Sequence, residues 1–316
     1  MRSILKKLPI PISGLMLGLA AAGNLVLSYG NIYRNVFGFV SAIILVLLLL
    51  KALTEPKAVT EGLNNPVVCG VMCTFPMGVM LLSTYVKPYA SSLAFAAWII
   101  GVLLHCVMIV YFTLKYIVKF NIKKIFPSSF IVYVGIAAAS VTAPTYSLSA
   151  LGRYIFWFAF IVYLILLPIV LYRVLVVKEI PEPARPTIII FAAPASLCLA
   201  GYMNSFQTKS MLIIVFLACL SLIMTIAALL LMPKMLTLKF YPSYSSFTFP
   251  FVISGIAIKL TNGFLIKSGK SIGFLKYIVS FEEIIAVAIV LYVLYRYVKF
   301  IFANERAIEK SSSAKA

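Results

Sequence analysis

Ten apolar runs, each long enough to cross a bilayer, divide this chain of 316 residues and leave almost nothing over. They cover roughly 9–28, 36–53, 66–85, 91–118, 127–143, 148–176, 186–202, 210–232, 244–264 and 273–302. A hydrocarbon core takes about 20 helical residues, and lipid offers no partner to an open strand, so every run is expected to be a helix. The runs also exceed the ~9–11 residues of a barrel strand. With 63% apolar and 11% charged residues, the chain has more apolar surface than one globular core hides from water. A soluble enzyme, a disordered chain and a coiled coil are thereby excluded. The expectation is an all-α integral membrane protein, one transmembrane domain over 1–316 with no extramembrane domain.

Charge places the ends. Of the 27 Lys and Arg, nineteen fall in breaks or at run ends on the side of the amino terminus, seven in breaks or at run ends on the other side, and Lys259 lies well inside a run. Because cytoplasmic loops gather basic residues, both termini are expected in the cytoplasm of a multi-pass plasma (inner) membrane protein, with 303–316 a short basic tail. Arg2, Lys6 and Lys7 before Leu15–Ala22 have the look of a signal peptide, but the run continues to Leu27 and suits a retained first helix better. The net charge of +19 sits between spans, so it does not point to nucleic acid. The five cysteines lie inside apolar runs and read as buried, inert thiols with no metal or cofactor to hold.

A repeat emerges from the prolines. Pro11, Pro66, Pro127, Pro186 and Pro242 stand near the starts of the odd-numbered runs, at spacings of 55, 61, 59 and 56 residues. That period is one helical hairpin, giving five: 9–53, 66–118, 127–176, 186–232 and 244–302. Three odd runs carry a further proline inside, Pro76, Pro194 and Pro250, where a missing amide donor and a steric clash with the preceding turn predict a kink. The odd runs are also shorter and rich in glycine and alanine, which lets backbones approach closely. Together these features suit an inner ring of odd helices within an outer ring of even ones, around an axial conduit.

The residues that carry chemistry are few. No metalloprotease, nucleophile-elbow or phosphate-loop motif occurs, and His105 stands alone, so no enzyme is expected. Glu282 and Glu283, being adjacent on a helix, point about 100° apart and do not form a catalytic pair. Lys259 is the only formal charge in the odd runs, which hold no carboxylate. With the ninth and tenth runs antiparallel about a loop centred near Gly269, it lies opposite residue ~279, within a turn of Glu282 and Glu283, and about five residues or ~8 Å from the outer end. An ion pair, a snorkelling stem or a cation facing the conduit all remain open. A lining without acids favours anions or neutral solutes over cations. Phe247, Phe249 and Phe251 cluster around Pro250, and alternate spacing cannot bring all three rings to one face; one pointing inward would plug the path.

These motifs give the chain a familiar outline. Pro9-Ile-Pro11 running into Gly18-Leu-Ala-Ala-Ala22, Asn65-Pro66 with Phe75-Pro76, Phe126-Pro127-Ser128, Arg185-Pro186 with Ala193-Pro194-Ala195, and Phe247-Thr-Phe-Pro250 follow in order along nearly the whole length. The sequence resembles the tellurite-resistance/dicarboxylate transporter family, the TehA-like proteins and the plant guard-cell slow anion channels. The resemblance implies ten helices as five hairpins in quasi-fivefold array, a central pore lined by the odd helices, a homotrimer, and a phenylalanine that occludes the pore. It carries that gate to Phe249, with Phe247 as the alternate. The expected partners are small inorganic or organic anions and the lipid bilayer. A channel for monovalent anions such as chloride and nitrate leads; the alternative is a proton-coupled transporter of C4-dicarboxylates, sulfite or tellurium oxyanions.

Overall fold

Among the described residues, 2–313 of a computed structural model, regular structure is helical throughout and no strand occurs. Nine helices are long and apolar enough to cross a membrane, which makes this a multi-pass membrane protein. They are α1 (Ile12–Tyr29), α2 (Asn31–Thr54), α3 (Pro66–Val86), α4 (Ser91–Ile117), α6 (Ser149–Val177), α7 (Glu182–Ser205), α8 (Met211–Leu236), α9 (Pro242–Lys267) and α10 (Leu275–Ala303). Between α4 and α6 stand two short helices, α5a (Ser129–Tyr133) and α5b (Ala137–Thr142). The helix carrying α10 continues to Ser313, and the end of the basic tail lies outside the described residues.

The interior of the fold is made by one set of these helices. Between 61% and 94% of the residues in the most apolar stretches of α1, α3, α7 and α9 are buried, against 22–33% for α2, α4, α6, α8 and α10. Contacts explain the difference: α1 packs on α3, α3 on α5b, α5b on α7, α7 on α9, and α9 returns to α1. Each of these also packs on the helix that follows it in sequence. The second set turns apolar side chains such as Leu103, Leu212, Leu230 and Ile284 outward, the surface a bilayer solvates.

Burial within lipid gains little from the hydrophobic effect, so small residues and hydroxyl bonds hold the inner helices together. A Cβ on Gly18 would fall on the Thr248 side chain, so this glycine lets α1 and α9 meet closely. Thr248 Oγ1 then donates to the Gly14 carbonyl at 3.0 Å. Ser41 Oγ donates to Met16 O at 2.7 Å and Tyr85 Oη to Ala20 O at 2.6 Å, which tie α2 and α3 to the same α1. Bonds of this kind contribute roughly 0.6 kcal/mol each in a membrane.

The structure corrects two expectations. The run read as one helix over 127–143 is broken: the amides of Val134 and Gly135 both donate to the Phe130 carbonyl, a wide turn that interrupts the ladder before α5b. Gly135, poor in helix propensity, sits at the break, and Pro144 opens the 3-10 turn Ala143–Tyr146 that closes the segment. Of the cysteines, Cys69, Cys73 and Cys198 are buried, but Cys106 and Cys219 lie exposed on α4 and α8, because those helices bury only one narrow face.

Candidate functional site

Two cavities lie in line along the ring of inner helices. The first, of about 30 Å³, is lined from the earlier turns of α1, α3, α5a and α9 and the middle of α7, among them Gly14, Thr74, Phe130, Pro194 and Ser246. The second, of about 390 Å³, is lined from the later turns of α1, α3, α5b, α7 and α9, among them Asn24, Thr84, Thr142, Asn204 and Ile256. The five segments therefore run in the same direction around one axis, narrow where they begin and wide where they end. About 30 Å³ is enough for a water-sized occupant and little more.

Phe249 and Leu197 line both cavities and are the residues the two share. They stand where the narrow cavity meets the wide vestibule. Phe249 is buried, and Pro250 beside it lines the narrow side. Phe247 lines neither cavity: it is fully buried, with its ring 4.7 Å from that of Tyr244.

Each interior proline stands just after a change in its helix. In α3 the α-helix ends at Met72 and resumes at Thr74, two residues before Pro76. In α7 a 3-10 stretch to Ala192 gives way to α-helix at Ala193, with Pro194 next. In α9 the 3-10 stretch Pro242–Phe247 precedes Thr248, and Pro250 follows. Proline tolerates the first turn of a helix because its missing donor would be unpaired there. Each junction therefore restarts the helix at the depth of the narrow cavity, which Pro194 and Pro250 line.

The charged residues sort by their partners. Lys259 Nζ lies 2.5 Å from Glu283 Oε1, and also donates to Ser28 Oγ at 2.6 Å and Leu25 O at 2.9 Å. Glu283 Oε2 accepts from Tyr29 Oη at 2.7 Å. This network borders a side pocket that shares Asn24, Leu27, Ile256 and Leu260 with the vestibule. Glu282 faces the other way: its Oε1 accepts from Ser254 Oγ at 2.8 Å, which accepts in turn from Thr225 Oγ1 at 2.9 Å. Neither glutamate lines the axial cavities. His105 is fully buried on α4, with Nε2 2.9 Å from Val132 O, also away from the axis.

Arg34 stands in the break between the first two apolar runs. It lies in the first turns of α2 and is, among the described residues, the one formal charge lining either axial cavity. Nothing in its spacing marks it, because its place depends on how α2 folds back across α1. No grouping of three or more His, Cys, Asp or Glu able to hold a metal occurs among the described residues.

A ring of helices within a membrane-spanning bundle thus encloses two cavities, and among the described residues no carboxylate lines either. The family model for SLAC1, voltage-dependent anion channel, matches residues 8–298, and the chain belongs to that family. It is thus a member of a family of anion channels and transporters. No curated protein matches the chain.

Proposed function

We propose that the chain is an anion-selective channel or uniporter for small monovalent anions, chloride and nitrate among them, with Phe249 as the occluding gate. The observation that carries the reading is the shared wall: the Phe249 ring and Leu197 are what the narrow cavity and the vestibule have in common. An aromatic ring there blocks a path by occupying it and by disfavouring water. Selectivity follows from the lining, which presents hydroxyls, amides and the Arg34 cation but no acid.

In this reading, the segment from α5a to the 3-10 turn at Tyr146 makes the tenth crossing, interrupted yet shielded from lipid by α4, α6 and α7. Five hairpins then surround the axis with quasi-fivefold symmetry. The distribution of Lys and Arg supports cytoplasmic termini in a plasma (inner) membrane, with the wide vestibule facing out. Likeness to TehA-like proteins supports a homotrimer of three such conduits.

Among the described residues, no titratable group other than Arg34 lines the axial cavities, which favours passive flow over proton coupling. The test is ionic selectivity: purified protein in a planar bilayer under a potassium chloride gradient, with the Phe249→Ala variant used to obtain current. The reversal potential is expected near the chloride equilibrium value; a value near that of potassium would refute anion selectivity.

A further inference from the structure

The outer vestibule holds a cation in a fixed pose with donors to spare. Arg34 Nε donates to Asn24 Oδ1 at 3.0 Å, and Nη2 reaches Thr84 O at 3.2 Å. Its guanidinium carbon lies 4.0 Å from the centre of the Tyr85 ring. Tyr85 is itself pinned by its bond to Ala20 O, and a Cβ on Gly38 would strike its ring. Arg34 is therefore anchored to α1 and α3 and stacked on a ring that is itself hydrogen-bonded and closely packed. The opposite holds for Lys259, whose charge is matched by Glu283.

What remains unused on Arg34 decides what it takes. Nη1 donates to no protein acceptor, and no carboxylate lies within ion-pair distance among the described residues. Because Nε points its hydrogen at Asn24, the amide of Asn24 presents its oxygen to Arg34 and keeps both Nδ2 hydrogens for another acceptor. Both residues line the same vestibule of about 390 Å³. A guanidinium held by one side offers a planar fork that suits two oxygens of one ligand better than a spherical ion.

We propose that Arg34 and Asn24 form an anion-capture site in the vestibule, taking planar oxyanions such as nitrate or a small carboxylate in preference to halide. The proposal rests on the channel reading for its consequence, which is loading of the path from the outer side, but the site itself is tested without flux. Purified protein in detergent is titrated with sodium nitrate and sodium chloride at constant ionic strength, and thermal unfolding reports occupancy. Losing a charge-assisted bond to an anion is expected to raise half-saturating nitrate about tenfold or more in Arg34→Gln. Arg34→Lys keeps the charge but lacks the fork, so it is expected to bind nitrate and chloride alike. Asn24→Ala, milder than either, is expected to weaken nitrate several-fold and serves if Arg34→Gln does not fold. Wild-type half-saturation retained in Arg34→Gln, nitrate preference retained in Arg34→Lys, or no nitrate-dependent stabilisation of the wild type would each overturn the site. If these binding results hold while neither wild type nor Phe249→Ala passes anions in liposomes, the channel reading fails and the site stands.

Discussion

The contact between Lys259 and Glu283 allows a quantitative forecast. Glu283 is nearly enclosed, with 8% of its side chain exposed, whereas Lys259 retains 31%. The carboxylate has two partners, Lys259 Nζ and Tyr29 Oη, while the ammonium has three oxygens around it. Glu283→Gln keeps the shape and leaves Lys259 with Ser28, Leu25 and solvent, so the loss is about 1–2 kcal/mol after allowance for screening. Lys259→Met strands the enclosed carboxylate with one hydroxyl and is expected to cost about 3 kcal/mol. Since the stranding disappears when both are changed, the double variant should cost about 2 kcal/mol less than the two single losses combined. Reversible unfolding in mixed detergent micelles measures all four proteins. A coupling under about 0.5 kcal/mol, or a Lys259→Met variant no weaker than Glu283→Gln, would show the pair to be an ordinary screened contact and refute the reasoning.

Four further outcomes are expected. Gly18→Ala drives a methyl into Thr248, which its bonds to Gly14 and Ser245 hold in place, so a loss of roughly 1–3 kcal/mol is expected in the same unfolding assay. Gly263→Ala, with nothing within 4 Å of its Cβ, should gain up to about 1 kcal/mol from helix propensity. In the loop after α6, the hydrogen bond and then the charge of Lys123 hold the Glu179 carboxyl below its usual range. Its contribution to stability is therefore complete above pH 4.5 and lost as pH falls through the lower native value, so the wild type and Glu179→Gln should converge in acid unfolding curves below that pH. Leu197→Ala, at the other half of the shared wall, should raise anion flux in liposomes, though less than removal of the larger Phe249 ring.

Much of this architecture is legible in the sequence because lipid imposes it. A chain that must satisfy its backbone in hydrocarbon announces each span by length, and the prolines that recur from Pro11 to Pro242 mark where the inner helices begin. The break at Gly135 is less legible, since a wide turn depends on which carbonyl two successive amides share. Loop-by-loop counting also treats basic residues as alike, yet Lys51 is buried with its ammonium on the Leu5 carbonyl, and Arg173 is buried against the carbonyls of Lys178 and Glu179. Antiparallel register sets Lys259 near both glutamates, but only the rotation of α10 decides that Glu283 meets it while Glu282 turns to Ser254. Arg34 and Leu197 carry no motif at all. Their places on the cavity walls come from tertiary packing; the separation of Phe249 from Phe247 follows from helical spacing, and packing decides only which of the two rings meets the cavities.

The most direct test of the account is anion efflux from liposomes holding purified protein, with wild type, Phe249→Ala and Phe247→Ala compared under one chloride gradient. An occluding ring at the junction of the two cavities predicts a large gain for Phe249→Ala and none for Phe247→Ala, whose ring packs on Tyr244 away from the path. Equal flux in wild type and Phe249→Ala, or a gain confined to Phe247→Ala, would contradict it.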